Sequence, residues 1–158
     1  MSIARVREAL KPLGLDQFIM EFEVSSATVP LAAAAAGVPE AQIAKTLSFH
    51  GLEGSTILVV CAGDTRIDNP KFKAACGTKA RMLSAAEAQE RTGHMVGGVC
   101  PFALRTPVDV YLDISLQAFE HVYPAAGGDN TAVRFTPTSL RDVTGATWVD
   151  VCKVPDND

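Results

Sequence analysis

The chain has 158 residues, 47% of them hydrophobic and 20% charged, which is ordinary for one folded domain and excludes wholesale disorder. Its longest apolar run, Ile57–Gly63, is far shorter than the roughly 18 residues that a membrane span needs. The formal net charge of −4 argues against broad nonspecific binding of nucleic acid, although it leaves room for a local basic face.

The first helices are predicted near the amino terminus. Apolar residues at helical spacing predict an amphipathic helix over residues 2–13 that ends near Gly14. Thr28 is suited to cap a second helix, because its hydroxyl can accept a hydrogen bond from a free backbone N–H. Pro30 fits the first turn of that helix and Gly37 fits its end.

A β-hairpin is predicted next. Pro39–Ala44 can form a short helical turn that delivers Lys45 to a strand over Thr46–His50. Gly51–Ser55 has the composition of a turn, and Thr56–Cys61 is an apolar run rich in β-branched residues. Together these segments predict two neighbouring antiparallel strands.

The second half of the chain is predicted to mix short helices and strands. Ser84-Ala85-Ala86-Glu87 fits a capping box, which predicts a helix that runs to Gly93. The other elements expected here are helices over 69–76 and from Thr136, strands over 80–83, 108–112, 131–135 and 147–152, and a loose tail at 155–158. This mixture favours a mixed sheet with helices packed on it over a strict βαβ repeat.

The cysteines and the amino terminus indicate the compartment. The four cysteines are widely spaced and form no CxxC pair, which excludes a zinc ribbon or a thioredoxin-type motif. Residues 1–7 lack the apolar stretch of a secretory signal. We therefore expect one domain over residues 1–158, with free thiols, in the reducing cytoplasm.

The familiar signatures of hydrolases and nucleotide-binding proteins are absent from the sequence, which contains no GxSxG, HExxH, Walker or GxGxxG motif. His50, His94 and His121 lie far apart and do not have metal-ligand spacing. Each histidine is expected to be a surface or strand residue. No metal site and no cofactor is predicted.

Two glycine-rich segments and one lysine are the candidates for chemistry. The loop Gly93–Phe102 can bring several N–H groups to a carbonyl oxygen or a phosphate, or it can be a plain turn. Ala125–Asn130 is either a turn or a second wall of the same pocket. Lys45 either extends to solvent or, beside a glycine loop, holds an anionic group. The residues alone leave these alternatives open.

Several segments, in this order along the chain, resemble the YbaK/prolyl-tRNA-synthetase-associated domain family, whose members deacylate mischarged tRNA. The resemblance covers about residues 20–152, and its most specific pair of motifs is A-K-T-L at 44–47 with G-G-V-C-P-F at 97–102. The segments that carry it are 28–38, 42–47, 58–64, 79–81, 92–102, 110–113, 126–128 and 133–137.

The resemblance implies an α/β fold with a mixed, largely antiparallel, barrel-like sheet surrounded by helices. It implies that Lys45, Gly97 and Gly98 are the catalytic residues. The substrate-binding residues that it implies are Thr28, Val99, Cys100, Pro101, Phe102, Gly127, Gly128 and Asp129. Cys100 is expected to line the pocket rather than act as a nucleophile, because no histidine close in sequence suggests a base.

The activity implied is hydrolysis of the ester between an incorrect amino acid and the 3′ end of a tRNA. By family, the substrate is tRNA-Pro carrying a small amino acid or cysteine. The partners implied are the mischarged acceptor end and a prolyl- or another aminoacyl-tRNA synthetase. Phosphate contacts are expected from a basic cluster that can equally be a solvated surface, namely Lys71, Lys73, Lys79 and Arg81. The alternatives are a non-catalytic tRNA- or synthetase-binding adaptor and a small-molecule-binding α/β domain.

Overall fold

The computed structural model describes residues 2–154, in which short helices and strands are mixed along the chain. The helices are α1 (Ser2–Leu10), α2 (Val29–Ala36), α3 (Asn69–Cys76), α4 (Ala85–Thr92) and α5 (Pro137–Thr144). The strands are β1 (Ile19–Glu21), β2 (Ile43–His50), β3 (Thr56–Ala62), β4 (Arg66–Ile67), β5 (Asp109–Asp113), β6 (Tyr123–Pro124), β7 (Thr131–Val133), β8 (Thr147–Val149) and β9 (Cys152–Lys153). None of the helices in this part of the chain has the length and apolar character to cross a bilayer. The tail predicted at residues 155–158 lies outside the described residues.

A five-stranded mixed sheet forms the centre of the fold, in the order β6-β2-β3-β5-β8. The predicted hairpin is confirmed, since β2 and β3 pair antiparallel from Ala44–Ala62 to His50–Thr56. The mixed sheet surrounded by helices is also confirmed. The expected antiparallel majority does not hold within this sheet, where the other three pairings are parallel. The reason is that helical connections return the chain to the same end of the sheet before the next strand begins.

Two antiparallel ribbons, β1 with β7 and β4 with β9, extend the sheet around the core. A single bridge between Val122 and Phe135 connects the region of β6 to that of β7. No pairing within residues 2–154 joins the two edge strands β6 and β8, so the five-stranded sheet is open and does not close into a barrel.

Strand β3 separates the two main clusters of the core, and all seven of its residues are buried. Since successive side chains of a strand point to opposite faces, Val60 and Ala62 pack on one side with Leu112 and Phe135. Cys61, on the other face, packs in the cluster that contains Phe49 and Phe72. The central hairpin is therefore packed on both faces, and this packing holds β2, the strand that carries Lys45, in place.

The helix ends follow the predicted capping chemistry. Thr28, Ser84 and Thr136 each accept a hydrogen bond from the backbone at the start of α2, α4 and α5. Gly37 and Gly93 end α2 and α4 in the left-handed conformation.

Three predicted elements differ most from the structure, and in addition β2 begins at Ile43 rather than Thr46 and β7 ends at Val133. The first helix ends at Leu10, because Pro12 falls in a 3₁₀ turn over Lys11–Leu13 before Gly14. Residues 80–83 form only one bridge, between Met82 and Phe49. The strand expected over 147–152 is split between β8 and β9, which belong to different sheets.

Candidate active site

A cavity of about 370 Å³ lies along the outer edge of β2. Strand β6 pairs with this edge only at Ile43 and Ala44. Nearer the other end of β2, the Leu83 N–H donates a hydrogen bond of 3.0 Å to the Ser48 carbonyl. Between these points the edge carries no further strand and borders the cavity. The lining residues are Ser26, Ala27, Thr28, Val29, Ala32, Ile43, Ala44, Lys45, Thr46, Leu47, Ser48, Met82, Leu83, Ser84, Ala85, Ala88, Val96, Gly97, Val99, Tyr123, Ala125, Thr131 and Ala132.

Lys45 is the one charged side chain among the described lining residues. It lies opposite Cys61 in the hairpin, so its stem extends over the face of β2 that packs with Phe49. The ammonium donates a hydrogen bond to the carbonyl of Thr65, in the turn that follows β3. An ammonium has three N–H donors, and this contact uses one of them. The half-buried cation is therefore held in place while it keeps donors for a ligand.

The predicted glycine loop forms another wall of the cavity through Gly97 and Val99. Gly97 has a φ of +90°, a conformation that favours glycine. The Gly98 N–H donates to the Met95 carbonyl at 2.9 Å and is not free to bind a ligand. The N–H groups of Gly97 and Val99 have no hydrogen-bond partner within residues 2–154. The N–H groups of Gly97 and Val99 are thus available to a ligand.

Gly98 meets the second glycine-rich segment behind the cavity wall rather than in the cavity. A Cβ atom placed on Gly98 would lie 2.6 Å from the backbone carbon of Gly127 and 2.7 Å from the Gly128 nitrogen. The Gly127 N–H donates to the Gly98 carbonyl at 3.1 Å. The two glycine segments support each other, and it is the neighbouring Ala125, Thr131 and Ala132 that line the cavity.

The predicted site residues thus separate into two groups. Thr28, Lys45, Gly97 and Val99 line the cavity. The residues placed outside its lining are Gly98, Cys100, Pro101, Phe102, Gly127, Gly128 and Asp129.

The residues outside the lining mostly support the glycine loop. Contrary to expectation, Cys100 is fully buried in the core instead of lining the cavity. Phe102 packs in the same cluster, with its ring centroid 5.2 Å from that of Phe135. Asp129 is exposed and lies close to Gly97. A Cβ atom placed on Gly97 would be 3.2 Å from the Cβ of Asp129.

His94 is neither a surface nor a strand residue, so its sequence-based assignment was wrong. It is fully buried in the glycine loop, and its Nε2–H donates to the Phe102 carbonyl at 2.7 Å. Because a carbonyl oxygen can only accept a hydrogen bond, the proton of the neutral ring lies on Nε2. Nδ1 therefore accepts a hydrogen bond from the Ser2 hydroxyl. Burial lowers the pKa of His94, consistent with this neutral form.

The expectation that no histidine lies close to Cys100 was wrong, because His94 precedes it by six residues in the same loop and its Nε2 is 3.5 Å from the sulfur. Burial raises the pKa of the Cys100 thiol to about 12, so the thiol stays protonated at neutral pH. A protonated, buried thiol is a poor nucleophile. The pair therefore supports the loop and does not form a catalytic dyad.

The basic cluster predicted to contact phosphates spans α3 and the segment that follows it. Lys71 lies on α3, where its ammonium is 3.0 Å from the Asp150 carboxylate, and this hydrogen bond raises the pKa of Lys71. Lys73 is exposed on the same helix. Lys79 and Arg81 are exposed on the segment that leads into the cavity-lining Met82.

Sequence reasoning missed the contribution of α4 and the segment before it. Met82, Leu83, Ser84 and Ala88 line the cavity because Leu83 is hydrogen-bonded to the edge of β2. The capping box of α4 was a clear signal for a helix, but nothing in it indicates what the helix faces.

Comparisons with known proteins point to one family. The sequence pattern of a family described as "Aminoacyl-tRNA editing domain" matches residues 23–143. The uncharacterized protein YwhH of Bacillus subtilis (strain 168) is 47% identical over 154 residues, which cover 97% of this chain and 98% of that protein.

Solved structures with the same fold cover nearly the whole chain. A candidate trans-editing enzyme for prolyl-tRNA synthetase superposes with a TM-score of 0.87 at 34% identity and covers 96% of this chain and 97% of its own. The hypothetical protein APE2540 superposes with a TM-score of 0.86 at 35% identity and covers 94% of this chain and 99% of its own.

Proposed function

The chain belongs to the aminoacyl-tRNA editing domain family, and from this we propose that it hydrolyses the ester between a wrong amino acid and the 3′ end of a tRNA. The observation that carries the proposal is the position of Lys45. It is the one charged side chain of a cavity that is also bordered by the free N–H groups of Gly97 and Val99, among the residues described.

The chemistry of the lining supports attack by water rather than by a protein nucleophile. The described lining residues include no histidine, cysteine, aspartate or glutamate. An aminoacyl ester is an activated ester, so positioning a water molecule and stabilising the developing oxyanion meets most of the catalytic demand. The free ribose hydroxyl of the substrate can orient that water.

Each polar group of the site then has a role in the proposed reaction. The N–H groups of Gly97 and Val99 donate to the ester oxygen as it gains negative charge. The Lys45 ammonium offsets that charge or anchors the terminal ribose and phosphate, while its contact with Thr65 fixes its position. The bond between the carbonyl carbon and the ribose oxygen breaks, and the free amino acid and the tRNA leave.

The size and composition of the cavity support a small aminoacyl group. Its volume of about 370 Å³ is near the lower end of ordinary ligand pockets. Much of its wall is made of alanine, with Ala32, Ala44, Ala88, Ala125 and Ala132 among the lining residues. We propose tRNA-Pro carrying alanine, serine, threonine, 2-aminobutyrate or cysteine as the substrate class, and the relative described as a candidate trans-editing enzyme for prolyl-tRNA synthetase supports this choice. A pocket of this kind accepts small products and spares larger correct ones.

The test is a panel of labelled aminoacyl-tRNAs, with ester loss followed over time. We expect Lys45→Met, which keeps the apolar stem and removes the charge, to lower turnover by about 100-fold or more. Lys73→Met is the matched control, because Lys73 is exposed on α3 and does not line the cavity. Equal turnover by Lys45→Met and wild type would contradict the proposed role.

The same panel separates the alternative functions. Binding of tRNA without ester loss on any substrate would identify a non-catalytic adaptor of tRNA or of a synthetase. Absence of tRNA binding even at low salt would favour a small-molecule-binding domain.

A further inference from the structure

We propose that the Thr46 hydroxyl is a substrate-binding group that hydrogen-bonds to a polar group of the aminoacyl moiety, an inference that rests on the proposed function. Two groups of such a substrate have suitable chemistry. One is the α-amino group, which all the proposed substrates carry, and the other is a side-chain hydroxyl, which among the proposed substrates only serine and threonine carry. Thr46 follows the catalytic lysine directly in the sequence and lines the same cavity.

The first observation is that the Thr46 hydroxyl has no partner within the described protein. It is the one buried side-chain nitrogen or oxygen atom of residues 2–154 without a hydrogen bond to another residue. By contrast, the buried hydroxyls of Thr65, Thr92 and Thr131 each donate to a backbone carbonyl. A hydroxyl buried without a partner costs stability, so its position at the cavity calls for an explanation.

The second observation is the direction in which Thr46 points. Because successive strand residues face opposite sides, Thr46 shares a face with Ala44 and not with Lys45. Ala44 packs in the cluster that contains Cys100 and Phe102, the supporting residues of the glycine loop. Lys45 and Thr46 therefore border the cavity from the two sides of β2, with Thr46 on the side of the loop that supplies the free N–H groups.

The third observation concerns the backbone of the same residue. Farther along β2, two backbone hydrogen bonds cross the outer edge. The Ser48 carbonyl accepts a hydrogen bond from the Leu83 N–H, and the His50 N–H donates to the Arg81 carbonyl. An antiparallel strand directs the backbone groups of alternate residues to the same edge, so those of Thr46 also point outward. There the cavity, rather than another strand, lies beside them. The backbone N–H and carbonyl of Thr46 thus face the same ligand-sized space that this residue lines, and its unpartnered hydroxyl is buried beside them.

The test is the isosteric substitution Thr46→Val, assayed on alanyl- and seryl-tRNA-Pro. Loss of the hydroxyl is expected to lower kcat/KM by about tenfold on at least one of these substrates, since each 1.4 kcal/mol of lost binding is a factor of ten. Thr46→Ser keeps the hydroxyl and is expected to retain most of the activity. The unfolding temperature of Thr46→Val should equal or exceed that of wild type, because the change removes no bond within the protein.

Thr56→Val is the matched control on the neighbouring strand. Thr56 is also buried, but its hydroxyl accepts a hydrogen bond from Arg91 at 3.1 Å and does not line the cavity. This variant is expected to lower the unfolding temperature and to leave kcat/KM unchanged, the opposite of the result expected for Thr46→Val.

The pattern of loss identifies the substrate group. Equal loss on both substrates assigns the Thr46 hydroxyl to the α-amino group, and loss on seryl-tRNA-Pro alone assigns it to the side-chain hydroxyl. A change of less than twofold on both substrates would overturn the inference, as would a loss on both that Thr46→Ser fails to restore.

Failure of this inference is distinguishable from failure of the proposed function. If wild type deacylates and Thr46→Val deacylates equally well, only the inference fails. If wild type deacylates nothing, the proposed function fails. In that case the role of Thr46 is tested by binding of a hydrolysis-resistant amide, 3′-alanylamino-3′-deoxyadenosine, and equal binding to wild type and Thr46→Val would reject it.

Discussion

A single cation in an otherwise uncharged cavity dominates the electrostatics of the site. Lys45 is surrounded by apolar side chains and by the neutral hydroxyls of Thr46 and Ser48. Charge interactions are stronger there than in open water, because less solvent screens them. In the proposed reaction, a negative charge that develops on the ester oxygen meets a pre-positioned positive charge, so substitution of Lys45 is a sensitive test of the proposal.

The close contact between Gly98 and Gly127 predicts the effect of adding one methyl group at Gly98. We expect Gly98→Ala to destabilise the fold by roughly 1–3 kcal/mol, because the added Cβ would lie 2.6 Å from the Gly127 backbone. The resulting loss of activity would follow from displacement of the loop and not from a methyl group in the cavity. Urea denaturation with turnover measured on the folded fraction checks this.

Gly37→Ala is a control for the effect of adding a methyl group, since a Cβ there has open space around it. Its φ of +73° still disfavours alanine, so a loss of stability of about 1–2 kcal/mol is expected from the backbone alone, without displacement of the glycine loop. Unchanged stability of Gly98→Ala would show that the two glycine segments are not in tight contact.

At the level of elements, the glycine loop is tied to the amino-terminal helix as well as to the core. His94 connects the start of α1, through Ser2, to the Phe102 carbonyl. The helix and the loop are distant in sequence, so this tether orders the cavity wall only once the tertiary fold has formed.

This tether gives a pH prediction. Burial lowers the pKa of His94 in the folded protein, so the unfolded chain takes up a proton more readily, at about pH 6.5. The folding free energy contributed by the neutral ring is therefore fully present above that pH and is lost as the pH falls below it. We expect the unfolding free energy of wild type to decrease more between pH 7.5 and 5.5 than that of His94→Gln.

Urea denaturation at the two pH values measures this difference. His121→Gln is the control, because His121 is only half-buried. Equal slopes for wild type and His94→Gln would mean that His94 does not titrate on unfolding.

Prediction of the elements from sequence succeeded where the signal was local. Capping by Thr28 and Ser84 depends on groups three residues apart, and both were placed correctly. Strands β4 and β6 were missed because two residues carry no periodicity. Such short strands exist only because a partner strand completes their hydrogen bonds.

At the scale of the whole molecule, an acidic protein must still present a positive surface to a polyanion. Within the predicted basic cluster, the positive charge of Lys71 on α3 is offset by the carboxylate of Asp150. Lys79 and Arg81 precede Met82 at the cavity and are better placed to meet the acceptor end of a tRNA.

We expect replacement of both Lys79 and Arg81 by alanine to weaken tRNA binding and to reduce the salt dependence of log K by up to about 2 units. Replacement of Lys71 and Lys73 should change both quantities less. Binding measured by fluorescence anisotropy over a series of salt concentrations tests the difference, and equal effects of the two double variants would contradict this assignment.

The sequence by itself determined the mixture of helices and strands, the hairpin and the helix caps, because these depend on local propensity and on residues near one another in the chain. Lys45 and the glycine loop are distant in sequence, and only the resemblance to a family associated them. Only the tertiary structure decided which of those residues share a cavity. Cys100 and His94 are buried behind the loop, whereas Thr46 and Met82 reach the cavity. Whether a side chain faces solvent, core or cavity is set by how distant segments pack against its strand or loop. The residue pattern of the segment itself does not indicate which distant segments those are.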